Sequence, residues 1–274
     1  MVFTKMQGAG NDFIIIDNRD GVIPKDALSA LAVRLCAYHT GVGADGLMVI
    51  TDSSSADYAM LFYNNDGSIG EMCGNGSRCI CRYGYDNGLA GEIQHVETAS
   101  GTVVGKRIDE QRYQVRLNDP SLIDLHRKVS VDGADYDCAY IELGVPGLPH
   151  AIVRLDNWDE TDSNKLRELG GKLRRAKEFP KGANVTFVKK LGENELKAIT
   201  FERGVENFTL ACGTGCGSAV TALTLLGLVS GKNVRINMPG GLIEITLDAE
   251  NGNVSNILMT GPTAVVFKGE FFEI

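Results

Sequence analysis

Met72-Cys73-Gly74-Asn75-Gly76-Ser77-Arg78-Cys79 and its echo Ala211-Cys212-Gly213-Thr214-Gly215-Cys216 decide how this chain is read. Each sets a cysteine in front of Gly-x-Gly, and a helix-compatible run follows each. The lead cysteines are 139 positions apart in a chain of 274 residues. They read as two thiols, each at the mouth of a helix, brought together over one substrate.

The same offset recurs away from the cysteines. Gly10-Asn11-Asp12 feeds an apolar strand ending in Asp17, and Gly147-Leu148-Pro149-His150 feeds one ending in Asp156. Gly43-Ala44-Asp45 is repeated as Gly182-Ala183-Asn184, and Gly101 as Gly240. Landmarks at one spacing and in one order identify an internal duplication. Each half has an opening strand and then a helix, over 24–38 in the first half and 161–177 in the second. Asp159 to Ser163 supply cap candidates for the second of these helices. Strands follow over 46–51 and 57–64, and over 185–190 and 195–202. A cysteine-led helix comes next, then a meander of short alternating strands over 94–118 and 234–260. A last strand spans 264–272.

The run Gly217 to Leu228 is small or apolar nearly all round, so its helix is buried on every face. A curved sheet wrapped around it is the simplest enclosure. The expected fold is α/β of the α+β type. It has two pseudo-symmetric domains, each a mixed, largely antiparallel sheet around a central helix. The first spans 1–118, with strand 264–274 returning to it, and the second spans 119–263. The active site is expected in the cleft between them.

Composition narrows the function classes. The net charge of −8 argues against nucleic acid or an anionic membrane as partner. No apolar run approaches the roughly 18 residues of a membrane span. The opening MVFTKMQGAGNDF lacks a signal-peptide pattern, so a cytoplasmic protein is expected. Seven cysteines, an odd number, argue against a disulfide framework. Cys79 and Cys81 are too close for a zinc knuckle, and Cys212 with Cys216 lacks a second half-site, so no metal is expected. Neither Gly-x-Gly has the third glycine and later acid of a dinucleotide loop.

Backbone N–H groups at a helix start have no intrahelical partner and carry about half a positive charge. They form a site for a carboxylate, and they favour the thiolate of a cysteine placed there. Two such mouths make an anion cradle flanked by two thiols. A thiolate can take a proton from a carbon while a thiol returns one on the opposite face. The N–H dipoles stabilise the carbanion between those events. This is the chemistry of inverting an amino-acid Cα.

These motifs, with Lys5 to Phe13, Gly43 to Leu47, Asn64-Asn65-Asp66-Gly67-Ser68, Gly182-Ala183-Asn184 and Phe201-Glu202-Arg203-Gly204, resemble the diaminopimelate epimerase family in order and over nearly the whole chain. The resemblance implies an isomerase that needs no pyridoxal phosphate, other cofactor or metal, acts on a small amino acid, and forms a homodimer. It implies Cys73 and Cys212 as the base and acid pair. It implies Gly74, Asn75, Gly213 and Thr214 around the reacting centre, and Asn11, Asn64, Asn184, Glu202 and Arg203 along the rest of the pocket. His150, with Glu202, is implied as a proton relay near the thiols.

Two places depart from the family's pattern. Leu148 stands where the family commonly has the Asn of Gly-Asn-Pro-His, and the segment from Arg203 to Cys212 is one residue longer than usual. Both concern the distal end of the substrate and leave the reacting centre unchanged. Racemisation of histidine, lysine or a similar amino acid is therefore the alternative within the family. Thiol redox chemistry or simple amino-acid binding is the alternative outside it.

Overall fold

The computed structural model describes residues 1–70, 73–158 and 162–272. Met72 of the first motif lies outside the described residues, as do Asp159 and Thr161 of the expected second helix start. The chain divides into two compact units, Met1–Val115 with Thr260–Ile274, and Arg116–Met259. Among the described residues no helix is long and apolar enough to cross a membrane.

The first unit is a ladder of strands. Ala264–Glu270 pairs antiparallel with Val2–Gly8, which pairs antiparallel with Asn11–Asp17. Asn11–Asp17 runs parallel to Gly46–Thr51, which pairs antiparallel with Tyr58–Asn64. Tyr58–Asn64 runs parallel to Ile93–Thr98, which pairs antiparallel with Gly101–Arg107. The second unit repeats this succession. Pro120–Val131, Ala134–Leu143 and Leu148–Arg154 are antiparallel neighbours. A parallel step to Asn184–Gly192, an antiparallel one to Glu195–Glu202, a parallel one to Val234–Met238 and an antiparallel one to Gly241–Glu250 complete it. The shared order of parallel and antiparallel steps is the duplication in hydrogen bonds.

Among the described residues four α-helices accompany these strands: α1 (Leu28–Cys36), α2 (Gly74–Asp86), α3 (Ser163–Leu173) and α4 (Gly213–Leu225). The middle strands are apolar on both faces because a helix covers each face. Ile14, Ile16, Leu47 and Val49 pack with Leu28, Leu31 and Leu35 of α1. Val153, Val185, Phe187 and Phe201 pack with Leu166 and Leu173 of α3. The opposite faces hold α2 and α4. Close approach explains the glycines there: a methyl on Gly105 would lie 2.2 Å from Cys81 Sγ, and one on Gly217 would lie 2.8 Å from Leu117 Cδ1. Every residue of α4 from Gly215 to Leu223 is buried, as its small and apolar composition requires.

Helix α3 begins at Ser163, where the Asp162 side chain accepts from the N–H groups of Asn164 and Lys165 at 2.9 and 3.1 Å. Helix α1 is shorter than the expected 24–38, because residues 25–27 form a 3₁₀ turn and Ala37 is extended. The second unit opens with two long strands, Pro120–Val131 and Ala134–Leu143, joined at Asp132-Gly133. Both turn residues have positive φ, 51° and 79°, which Asp-Gly accepts readily.

Candidate active site

Cys73 and Cys212 cap α2 and α4 with nearly the same extended backbone, φ −116°, ψ 107° and φ −118°, ψ 104°. Each carbonyl accepts the first helical hydrogen bond, from Ser77 N–H at 2.7 Å and from Cys216 N–H at 3.0 Å. The amides of residues 74–76 and 213–215 are thus the ones a helix start leaves without an intrahelical acceptor. All seven cysteines are free thiols.

In the first unit the sheet delivers Asn11 to the thiol. Phe13 is the register partner of Gly46, and Gly46 that of Asn64, so three strand ends meet at one edge. The Asn11 carbonyl Oδ1 lies 3.5 Å from Cys73 Sγ and 3.5 Å from the Asn75 amide nitrogen. Asn75 is turned by Arg78, whose Nη2 donates to Asn75 Oδ1 at 3.0 Å. Arg78 is fully buried. Asn64 lies on the adjacent strand end and donates to Ser68 Oγ at 2.9 Å. The structure therefore gathers Cys73, Gly74, Asn75 and Asn11, with Asn64 at the same edge.

In the second unit His150 is the register partner of Asn184, and Val185 that of Phe201. This brings His150, Asn184, Glu202 and Arg203 to one edge. Asn184 Oδ1 accepts the Arg203 backbone N–H at 2.8 Å, and Arg203 Nη1 donates to the Lys181 carbonyl at 2.9 Å. The Thr209 hydroxyl donates to Glu202 at 2.6 Å. Thr214 Oγ1 lies 3.6 Å from Cys212 Sγ. Under Gly215 sit the hydroxyls of Thr186 and Thr200, 3.0 Å apart.

Burial pushes the Cys212 thiol well above its ordinary range, and the Glu202 carboxylate adds to this. The Thr214 hydroxyl and the Gly215 amide pull the other way without reversing it. Cys212 therefore holds its proton at neutral pH. His150 is fully buried, and among the described residues neither ring nitrogen has a hydrogen-bond partner. Burial, and then the Arg203 cation, push its pKa down to about 3, so its imidazole is neutral. A buried ring without partners is costly, and such groups persist where function requires them.

Sequence reading missed Asp45 and Arg78 as parts of this region. Asp45 Oδ2 accepts from the Asn11 amide and from the Asp12 N–H at 3.1 Å. The spacing Asn75-x-x-Arg78 places both side chains on one helix face and was the available signal for Arg78.

A repeated strand ladder around two cysteine-capped helices defines a class of duplicated α+β proteins. Solved structures share the arrangement of strands and helices. A phenazine biosynthesis protein of the PhzF family from Bacillus anthracis matches with a TM-score of 0.72 at 15% identity, over 100% of this chain and 99% of that one. A probable proline racemase from Agrobacterium radiobacter K84 matches at 0.71 and 16% identity, over 99% and 92%. At these identities the likeness is one of fold.

Sequence similarity goes further. The family model for diaminopimelate epimerase matches residues 3–123 and 145–266. The diaminopimelate epimerase of Aquifex aeolicus is 38% identical over 100% of this chain and 98% of its own. That of Hydrogenobaculum sp. strain Y04AAS1 is 36% identical over 98% of each. The chain belongs to the diaminopimelate epimerase family.

Proposed function

We propose that this protein is a diaminopimelate epimerase that converts the LL to the meso isomer, a step supplying lysine and cell-wall precursors. The observation that carries the reading is the pair of cysteine caps with matching backbone, in a chain related over its full length to enzymes of that name. Both thiols act on one substrate. The Cys73 thiolate takes the Cα proton, leaving the electron pair delocalised into the substrate carboxylate. The Cys212 thiol gives its proton to the opposite face of the same carbon. Cys73 ends as thiol and Cys212 as thiolate, and the reverse reaction exchanges the roles. The burial that keeps Cys212 protonated suits it to the donor role in the LL-to-meso direction.

The N–H groups of Gly74, Asn75, Gly213 and Thr214 hold the reacting carboxylate as charge develops on it. Asn11, Asn64, Asn184, Glu202 and Arg203 line the rest of the pocket, where the Arg203 guanidinium suits the distal carboxylate. Between turnovers Cys73 gives up the proton it took and Cys212 regains one, with Glu202 and neutral His150 as the relay. A homodimer in the cytoplasm completes the reading. Its support is the exposed apolar side chains Val265, Val266 and Phe267 on the last strand, which a partner would cover.

The test is Cα-proton exchange in deuterated water by reduced protein without added cofactor, followed by NMR. LL-Diaminopimelate should exchange, and L-lysine and L-histidine should not. Exchange of another amino acid instead would keep the two-thiol chemistry and move the substrate. Leu148, which cannot donate or accept through its side chain, is what keeps that second reading open. Absence of exchange across a panel of amino acids would refute the proposal.

A further inference from the structure

Two amides stand between two charges in the first unit. At one end Arg78, fully buried, donates to Asn75 Oδ1, which turns the Asn75 amino group outward to Asn11 Oδ1. At the other end Asp45 accepts from the Asn11 amino group, which turns Asn11 Oδ1 inward. An amide has a donor end and an acceptor end of similar shape, so a neighbouring charge decides which way it points. A cation at one end and an anion at the other give this pair a single direction. The Cys73 sulfur meets the relay at Asn11 Oδ1, at 3.5 Å.

Asp45 is itself held. Its N–H donates to Asp12 Oδ1 at 3.0 Å, and Asp12 Oδ2 pairs with Lys5 at 2.6 Å. Lys5 is buried and also donates to the Gly43 carbonyl. A closed network of this kind supports one geometry and penalises others. Among the described residues, the charged or titratable groups around the relay are Arg78 and Cys79 on α2, Asp45 ahead of strand Gly46–Thr51, Asp12 and Lys5 on the first two strands, and Cys36 and Tyr38 at and just beyond the end of α1.

We propose that Asp45 is a positioning residue: it holds the Asn11 amide with its carbonyl oxygen, not its amino group, toward the Cys73 sulfur. A carbonyl there accepts from the thiol and opposes the thiolate, whereas an N–H there would favour the thiolate. Asp45 thus sets how readily Cys73 gives up its proton and keeps the Asn11 donor off the sulfur. The inference rests on Cys73 serving as the base only for its catalytic meaning, because the orientation can be measured without turnover.

The experiment is the pH dependence of iodoacetamide alkylation at Cys73, read by peptide mass mapping under reducing conditions. It compares wild type, Asp45→Ala, Asp45→Asn, Asn11→Ala and the Asp45→Ala/Asn11→Ala pair. Thermal unfolding confirms that each is folded, with Asp45→Ser standing in if Asp45→Ala is not. In Asp45→Ala the alkylation midpoint should fall by about half to one pH unit, roughly a three- to tenfold faster reaction at neutral pH. Asp45→Asn, which keeps an acceptor oxygen, should retain the wild-type midpoint. In the Asn11→Ala background the Asp45 substitution should cause no shift. An equal shift in Asp45→Asn, or one that survives without Asn11, would show that Asp45 acts by charge alone and overturn the proposal. An unchanged midpoint in Asp45→Ala would overturn it as well. Failure of wild type to exchange a Cα proton would instead count against the epimerase reading and leave the alkylation result standing.

Discussion

Cys73 and Cys212 cap their helices with almost one backbone conformation, and the side chains around them share almost nothing. The first thiol is half-buried among amides fixed by charges, Asn11 and Asn75 between Asp45 and Arg78. The second is buried over a floor of hydroxyls, Thr186 and Thr200, with the Glu202 carboxylate near enough to act on it. The 139-residue offset carries Asn11 onto His150, Asp45 onto Asn184, Asn64 onto Arg203 and Asn75 onto Thr214. Duplication supplied two equal frames, and substitution at matching positions made the mouths unequal.

The largest expected effect removes either sulfur. Cys73→Ser and Cys212→Ser should each lower kcat by about 10³-fold or more, within the range of a positioned acid or base, while the thermal midpoint stays close to wild type. Full turnover by either variant would break the pairing of the two mouths.

His150 should mark the second mouth in stability. Its folded pKa, about 3, lies below the ordinary 6.5, so the unfolded chain binds a proton that the folded chain refuses. Stability from this source is intact above pH 6.5 and is lost as pH falls toward 3, about 5 kcal/mol in the limit. His150→Leu should flatten that acid limb and, near neutral pH, stabilise by about 1 kcal/mol by removing an unpaired polar group. It should also slow turnover. An acid limb as steep as wild type in chemical unfolding would contradict the assignment.

Arg203 replaces the first mouth's Asn64 with a cation. Arg203→Ala should reduce kcat/KM for diaminopimelate by about 10²-fold, the scale of a charge-assisted contact, and should affect an amino acid without a distal carboxylate far less. Equal losses would make Arg203 a scaffold residue, consistent with its bond to the Lys181 carbonyl.

The glycines give the finest comparison. A methyl on Gly76 would lie 1.9 Å from Met48 Cε, the end of a side chain that can swing away, so Gly76→Ala should cost about 1 kcal/mol of stability and little activity. A methyl on Gly215 meets Thr186 Oγ1 at 2.8 Å, Thr200 Oγ1 at 2.9 Å and Cys212 Sγ at 3.2 Å. Those groups belong to the site, so Gly215→Ala should cost activity more than stability. The reverse ranking would mean that the hydroxyl floor is only packing.

Much of this was legible in the chain. The cysteine spacing exposed the repeat, and helix α4 announced its burial from Gly217 to Leu223. The run read as buried to Leu228 is only partly so beyond Leu223, with Gly227 exposed, because the helix ends at Leu225. The hairpin of Pro120–Val131 with Ala134–Leu143 was not visible, although Asp132-Gly133 is a hairpin signal. Its register shifts between Pro120 and Leu122 and between Asp124 and Arg127, which destroys the two-residue alternation. Strand Val2–Gly8 hid for another reason. Lys5, a charge in mid-strand, reads as exposed and is in fact buried against Asp12. Arg78 could have been read from its three-residue spacing to Asn75, whereas Asp45 was unreadable as a site residue because its partner Asn11 is 34 residues away.

Early-time turnover of LL-diaminopimelate in deuterated water tests the two-mouth account most directly. Two thiols, one emptied and one loaded from solvent, should put deuterium into the meso product while the remaining LL substrate keeps its Cα protium. Deuterium appearing equally in recovered substrate and product would mean that one group both removes and returns the proton, and would contradict the account.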